Sequence, residues 1–264
     1  MNCGNLTSIK IGKNFNGNDG WFTSAIAQGS LNLENIIIDS KNPYCYDNNQ
    51  TSIIRKKDNC LIQGTKNTVI PNTVKKIGRG AFYGIGLTDI IIPNTVEYLE
   101  GVTFAGNNNL TRVILPNTIN LIDEGDFWDC INLNTINIPT SGRFPGYSLM
   151  NTAIWNNEEN WYNDGLYWDN ALLYIRDVDS YNIYIVKSGT KTICSQLLGP
   201  TWDWNYPIKL PNSIQNILDY AFVFIGTTEL YYDGTVDTWN SINKSDLWNA
   251  NSAITVIHCI DEDI

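Results

Sequence analysis

Apolar positions recur along this chain in a short pattern in which they alternate with polar ones. The segment at 87–93 is L-T-D-I-I-I-P, and the segments at 110–116 and 133–139 repeat its apolar positions and its final proline. Alternation with a period of two is expected of a strand that buries one face. Proline has no backbone N–H to donate, so it ends the strand. The pattern therefore predicts three short strands, each closed by a proline.

A second pattern begins at the proline with P-N-[ST]-[VI]-x-x-[IL] and carries a phenylalanine at the same distance from the proline in every copy. Asn, Thr and Ser favour a turn there, because their side chains hydrogen-bond to nearby backbone. We predict that the chain then crosses to the other side of the fold and buries the phenylalanine in a short helical or 3₁₀ turn. The structural repeat core is expected at Pro71 and Phe82, Pro93 and Phe104, Pro116 and Phe127, and Pro211 and Phe222.

The spacing of the copies predicts a solenoid. Pro71, Pro93, Pro116 and Pro139 follow one another at nearly equal intervals. A fixed period of this length is typical of stacked repeats in which each repeat makes one coil. Stacking would pair the strands into a parallel sheet. We expect a mainly β fold with short helical or 3₁₀ turns, wound as a right-handed solenoid of about 22–23 residues per turn.

The core I-P-N-[ST]-V-x-x-I-x-x-x-A-F and the opening C-x-N-L-x-x-I, found at 3–9 and 130–136, resemble the BspA-type leucine-rich repeats. The resemblance is close over 67–139 and 208–239 and loose over 1–66. It implies a leucine-rich-repeat solenoid from a bacterial cell-surface protein that adheres to matrix proteins, other cells or glycans. Because the opening matches the middle of a repeat, we expect further sequence, including any signal peptide, to precede the chain.

We interpret residues 1–264 as a single leucine-rich-repeat solenoid with two β-hairpin inserts. Within the second insert, the apolar runs of 171–193 predict the two strands of the hairpin. The predicted segments are N-terminal repeats at 1–52, starting mid-repeat, a hairpin insert at 53–70, regular repeats at 71–143, an aromatic-rich hairpin insert at 144–193, and degenerate repeats with a C-terminal cap at 194–264.

Charge and hydropathy exclude two classes of partner. The formal net charge is −10 at pH 7, and a nucleic-acid phosphate backbone is bound through Lys and Arg that displace its counterions. No run of 18 apolar residues is present, so we expect no membrane insertion of this chain. The predicted location, extracellular or at the cell surface, follows from the family resemblance.

The sequence offers no convincing catalytic or metal site. Its one histidine, His258, stands beside Cys259, and neighbours on a strand point to opposite faces. Cys45 and Cys60 bracket a hairpin-like stretch and could form a disulfide, although free buried thiols are favoured. We predict no cofactor and no metal, since the acidic clusters at 123–129 and 261–263 are interpreted as exposed rims. The acids at 158–169 (Glu158, Glu159, Asp164 and Asp169) are interpreted as solvated loop carboxylates.

Aromatic residues concentrate at 144–206, which holds 13 of the 31 in the chain among many Asn and Asp residues. Rigid aromatic faces beside short polar side chains suit a sugar ring or a protein partner. The alternative, favoured by the tryptophan-containing hairpins of the family, is that the rings pack the insert against the solenoid. The candidate ligand-binding residues are Trp155, Trp161, Tyr162, Trp168, Trp202 and Trp204.

The leading functional hypothesis is a non-enzymatic binding module that recognises a macromolecule, because solenoids expose long surfaces and few deep pockets. A second hypothesis is a stalk that projects another domain and has no ligand of its own. A third, a carbohydrate-active enzyme, requires two carboxylates that converge in a groove beside exposed tryptophans.

Overall fold

The computed structural model describes residues 5–17, 26–27, 29–176, 182–198 and 204–264, and these are mainly β with a few short helices. The chain divides into two compact units. Unit 1 consists of Met1–Asn137 and Ser148–Asn156, and unit 2 consists of Ile138–Tyr147 and Asn157–Ile264. The interpretation of residues 1–264 as one solenoid with the segment bounds given above remains a prediction.

Unit 1 is a β-solenoid of stacked coils with three sheets. A two-stranded sheet pairs β1 with β2, a five-stranded sheet has the order β3-β4-β5-β6-β8, and a three-stranded sheet has the order β10-β9-β7. One short helix, α1, spans Ala153–Asn156, and a 3₁₀ helix at Gly146–Leu149 belongs partly to each unit. The strands are β1 Ser8–Ile11, β2 Asn35–Ile38, β3 Cys45–Asp47, β4 Ser52–Arg55, β5 Cys60–Gly64, β6 Lys76–Ile77, β7 Asp89–Ile91, β8 Tyr98–Leu99, β9 Arg112–Ile114 and β10 Thr135–Ile136.

The strand register shows that one repeat makes one coil. Ile90 of β7 lies opposite Val113 of β9, and Val113 lies opposite Ile136 of β10, all in parallel pairing. Lys76 of β6 pairs in parallel with Tyr98 of β8. In each pair the partners are separated in sequence by the interval between successive prolines. The predicted strands before Pro93, Pro116 and Pro139 are confirmed. The segments after Pro71 and Pro93 form β6 and β8, which pair in parallel within the five-stranded sheet.

Each proline closes a turn, as its sequence context predicted. The N–H of Val74 donates to the carbonyl oxygen of Pro71 over 3.0 Å, and Val96 and Pro93 repeat this bond at 3.0 Å. The phenylalanine segment is also built from turns, in which Ala81 N–H donates to the Gly78 carbonyl over 3.0 Å. This i→i+3 bond is the spacing of a 3₁₀ turn, although no regular helix forms there.

The repeated phenylalanines of unit 1 stack through its core. Phe82, Phe104 and Phe127 are 0% exposed, with ring centroids 5.4 Å apart for the first pair and 5.7 Å for the second. The neighbouring coils also join through backbone, because Phe82 N–H donates to the Thr103 carbonyl over 2.9 Å. At the start of the stack, a Cβ at Gly64 would overlap the ring of Phe82, so glycine is required there.

The first predicted hairpin forms, with an additional strand. Strands β4 and β5 pair antiparallel across a turn at 56–59, and β3 adds to the other side of β4. Strand β5 then pairs in parallel with β6, which is how the hairpin enters the solenoid. Cys45 and Cys60 are both buried free thiols, so they do not form the disulfide that the sequence also allowed.

Unit 2 is also built of coils whose strands pair in parallel. Its larger sheet has the order β11-β12-β13-β15-β17-β19, and its smaller sheet has the order β14-β16-β18-β20. A helix, α2, spans Val236–Ser241, and a 3₁₀ helix spans Glu158–Asn160. The strands are β11 Trp161–Tyr162, β12 Gly165–Trp168, β13 Ala171–Ile175, β14 Tyr184–Ile185, β15 Thr192–Ile193, β16 Ile208–Leu210, β17 Asn216–Ile217, β18 Glu229–Tyr232, β19 Asn243–Lys244 and β20 Val256–His258.

The pairing predicted for the strands of the second hairpin was wrong. Strand β13 was expected to fold back on the strand that contains Tyr184, but β13 pairs antiparallel with β12, which precedes it. Strand β14, with Tyr184, pairs in parallel with β16 in the other sheet. The other edge of β13 pairs in parallel with β15 of the next coil, so β13 has no free edge for the strand that contains Tyr184.

Candidate functional site

The aromatic-rich segment of unit 2 forms a three-stranded antiparallel meander. Strands β11 and β12 are joined by Asn163 and Asp164, and β12 and β13 are joined by Asp169 and Asn170. All four linking residues have positive φ, between 45° and 60°. Two-residue hairpin turns with positive φ at both positions match the twist of the flanking strands, and Asn and Asp tolerate that conformation. These turns fix which faces Trp161, Tyr162 and Trp168 present.

Trp161 is a packed residue of this meander. Its half-buried ring lies edge-on to Tyr174, with centroids 6.5 Å apart. The Arg176 guanidinium stacks 4.3 Å from the Trp161 ring centroid and is held there by two bonds to the Glu158 carboxylate of 3.2 and 3.1 Å. A cation stacked on an indole face occupies that face of the ring. Trp161 therefore packs within the insert, and its role in ligand binding remains a prediction.

Trp168 is half-buried and lines a cleft of about 270 Å³. We call this the Trp168 cleft. Its other walls include Glu159, Asp169 and the segment 187–190. The cleft thus combines one indole, two carboxylates, one ammonium group and the hydroxyls of Ser188 and Thr190.

Tyr162 lines a second cleft of about 420 Å³ together with Ile185, Asn212 and Asp233. We call this the Tyr162 cleft. The segment 187–188 lines both clefts. The Lys187 ammonium lies 5.6 Å from the ring centroid of Tyr162 and 5.7 Å from that of Tyr167. The two clefts are therefore neighbours that share one cationic border.

Two other aromatic candidates, Trp155 and Trp204, do not line these clefts. Trp204 is 1% exposed and packs edge-on against Tyr184, so it belongs to the core, and its prediction as a ligand-binding residue was wrong. Trp155 lies on α1 of unit 1, whereas both clefts are lined by residues of unit 2. Trp202 lies outside the described residues.

Sequence reasoning missed the segment 187–190 as part of a site. It assigned these residues to the aromatic-rich hairpin insert. In the structure, Thr190 N–H donates to the Lys187 carbonyl over 3.2 Å, as in the repeat turn. The same turn also places the lysine and Ser188 beside Trp168. The available signal was a polar K-S-G-T turn within an aromatic-rich stretch.

The described thiols are protonated rather than reactive. Burial raises the pKa of Cys60 and of Cys130 to about 12, and the pKa of Cys194 is raised further by the same cause. Burial and the neighbouring acids raise the pKa of Cys259 as well. His258 precedes Cys259 in the sequence, and its ring nitrogen Nδ1 lies 2.8 Å from the Asp263 carboxylate.

One acid of the predicted exposed rim is buried. Asp126 is 0% exposed and accepts hydrogen bonds from the backbone N–H of Thr103 at 2.9 Å and of Asp123 at 2.7 Å. Its role is to join neighbouring turns of unit 1, so the prediction of a solvated rim was wrong at this position. In the described part of the chain, no three acid, cysteine or histidine side chains come together as a metal site. Across the same residues, no helix is long and apolar enough to cross a membrane.

Bacterial leucine-rich repeat proteins are among the solved structures that are similar to this chain. No curated protein matches the chain. Solved structures that resemble it include a leucine-rich repeat protein from Eubacterium ventriosum (17% identity over 94% of this chain and 59% of that one, TM-score 0.36) and another from Bacteroides ovatus (16%, 98% and 62%, TM-score 0.33). A third is a leucine rich cell surface protein from Faecalibacterium prausnitzii (16%, 95% and 83%, TM-score 0.34). The chain thus spans less than two thirds of the first two proteins.

A family model matches the repeats over part of the chain. The family model of the BspA type leucine rich repeat region matches residues 52–154 in six copies. This range contains the proline turns and the stacked phenylalanines of unit 1. Residues 52–154 of this chain are a BspA-type leucine-rich-repeat region.

Proposed function

We propose that this chain is a non-catalytic recognition module of a bacterial cell-surface or secreted protein, and that it binds a host or microbial macromolecule, protein or glycan. The observation that carries the proposal is the surface of unit 2 on which the Trp168 cleft and the Tyr162 cleft adjoin. Tyr162 is 47% exposed and Ile185 is 55% exposed there. Exposed aromatic groups beside polar side chains are typical of recognition surfaces. The location outside the cell is supported by the family resemblance.

The absence of catalysis is part of the proposal and is supported by the chemistry of the described nucleophiles. A thiol whose pKa is raised to about 12 by burial, as in Cys60 and Cys130, is not ionised near neutral pH and does not act as a nucleophile. Glu159 and Asp169 line the Trp168 cleft, so the alternative that the chain is a glycosidase can be tested directly. Oligosaccharides incubated with the chain should be recovered intact, and release of new reducing ends would contradict the proposal.

Binding to immobilised ligands tests the proposal. The purified chain would be applied to a panel of host matrix proteins and glycan-coated surfaces, beside the double variant Tyr162→Ala/Trp168→Ala. We expect saturable binding to at least one surface, weakened at least about tenfold in the variant, since aromatic anchors contribute most at binding surfaces.

The matched control is Tyr44→Ala in unit 1, because Tyr44 is 49% exposed and its substitution removes a similar exposed ring. Thermal unfolding of all variants verifies that they remain folded. If the double variant binds as tightly as the wild type, the unit 2 surface is not the binding site. Failure of the folded wild-type chain on every surface would favour the stalk hypothesis.

A further inference from the structure

The Trp168 cleft combines the two kinds of contact that a sugar requires. An indole face carries negative charge density and attracts the polarised C–H groups of a sugar ring. Sugar hydroxyls both donate and accept hydrogen bonds, and the cleft supplies acceptors at Glu159 and Asp169 and donors at Lys187 and Ser188. A purely apolar ligand would leave these polar groups without partners, at a cost in free energy.

The charges around the clefts favour an uncharged ligand. Glu159 and Asp169 line the Trp168 cleft, and Asp233 lines the Tyr162 cleft. Lys187 is the cation that borders both clefts, and the Lys209 ammonium is bound to Asp233 at 2.8 Å. An anionic ligand would meet this excess of carboxylates in a chain of net charge −10.

The two clefts together suit a chain of several units rather than a single small molecule. The Trp168 cleft, at about 270 Å³, is at the lower end of ligand pockets, which measure roughly 300 to 1,000 Å³. The Tyr162 cleft adds about 420 Å³ and shares the segment 187–188 with the Trp168 cleft. A ligand that enters one cleft and continues past Lys187 would reach the other.

A peptide added as a further strand fits this surface less well. Such binding uses a run of unpaired backbone groups at a sheet edge. The edge strand of the meander, β11, consists of Trp161 and Tyr162 alone. Two residues offer too few backbone hydrogen bonds to hold an extended peptide, and natural edge strands are kept short to prevent such pairing.

We propose that the Trp168 cleft and the Tyr162 cleft bind an uncharged oligosaccharide, with one sugar ring against Trp168 and the chain continuing past Lys187 to Tyr162. This inference rests on the proposed binding function and names its ligand class. Carboxylates in this site accept hydrogen bonds from sugar hydroxyls and perform no chemistry.

The test titrates the chain with neutral oligosaccharides of three to six units built from glucose, galactose, mannose or N-acetylglucosamine, by calorimetry and tryptophan fluorescence. At least one should bind saturably, and sialylated and sulfated oligosaccharides should bind more weakly. Trp168→Ala should weaken binding at least about tenfold, which is about 1.4 kcal/mol. Trp168→Phe keeps an aromatic face and should restore most of the affinity, whereas Tyr44→Ala should bind like the wild type.

Asp169→Asn tests the polar contacts without disturbing the turn, because Asn also tolerates the φ of 48° at this position. It should weaken binding by a few-fold, since the amide keeps one acceptor oxygen. The inference is overturned if no neutral oligosaccharide binds at about 10 mM, or if Trp168→Ala binds as the wild type does. Binding of the chain to a matrix protein that persists after enzymatic deglycosylation would overturn the glycan ligand and leave the proposed function standing. Loss of that binding after deglycosylation would support the glycan ligand, whereas absence of binding to every glycan and every matrix protein would remove both proposals.

Discussion

At the scale of single residues, the polar groups buried between coils determine how unit 1 holds together. Asn107 is 0% exposed, and its amide nitrogen donates to the Phe82 carbonyl over 2.7 Å and to the Phe104 carbonyl over 2.6 Å. Its side-chain oxygen accepts from Gly86 N–H at 2.9 Å and from Leu87 N–H at 3.0 Å. One side chain thus satisfies four backbone groups that stacking removes from water.

Asp126 makes the stability of unit 1 depend on pH. Burial raises the pKa of its carboxyl group from 3.8 to about 7. A folded-state pKa above the unfolded value means that the folded chain binds the proton more tightly, so the stabilisation is present at low pH and is lost as the pH rises through 7. The free energy of unfolding should fall by about 2 kcal/mol between about pH 5.5 and pH 8, because one pKa unit corresponds to about 1.4 kcal/mol.

Urea unfolding across this pH range measures the effect. Asp126→Asn should be less stable than the wild type at low pH, because it loses one acceptor, but its stability should lack this pH dependence. Asp129→Asn is the control, since Asp129 is exposed and its change should leave the dependence intact. A wild-type stability that is flat or rises over this range would show that Asp126 is ionised in the folded chain.

At the scale of elements, the two-residue turns of the meander determine the candidate site. Asp169 and Asn170 have φ values of 48° and 60°, and together they reverse the chain between Trp168 and Ala171. The register of these strands sets which side of the sheet each side chain faces, and a slip of one residue would exchange the faces. The position of Trp168 in its cleft therefore depends on this turn.

Substitution at Asn170 should reveal this dependence. Asn170→Ala should lower the free energy of unfolding by about 1 kcal/mol, because residues other than Gly, Asn and Asp pay about 1 to 2 kcal/mol in the left-handed region. Asn170→Gly removes that strain and should be close to the wild type in stability. Because both variants change the same position, each is the control for the other. Chemical denaturation measures the free energy of unfolding of both variants. Equal stability of the two variants would contradict a turn with positive φ.

At the scale of the whole molecule, charge decides which partners the chain meets. A net charge of −10 repels nucleic acid along the approach path, and binding to a phosphate backbone requires cationic contacts that release counterions. Fluorescence anisotropy with a labelled DNA duplex at low salt should show no saturable binding. Binding that weakens steeply with added salt would disprove this prediction, because such dependence is the signature of phosphate contacts.

The fold was largely predictable because each repeat carries the same local sequence pattern and therefore forms the same turn and strand. The proline pattern predicted the turns at Pro71 and Pro93, and the repeat spacing predicted the parallel register between neighbouring coils. The candidate site was predictable only in outline. Trp168 and Trp204 were both predicted to bind a ligand, but Trp168 lines a cleft and Trp204 is buried. Composition does not indicate which rings face outward.

The sequence by itself determined the solenoid architecture of the repeats, since alternation, proline and the recurring phenylalanine act within one coil and recur in the next. Tertiary structure decided every feature that depends on a partner distant in sequence. It paired β13 with β15 and β14 with β16, buried Asp126, and placed Lys187 in the same cleft as Trp168. The physical reason is that a repeat pattern specifies a buried face and a period, whereas exposure and pairing depend on which coil or strand covers that face after stacking.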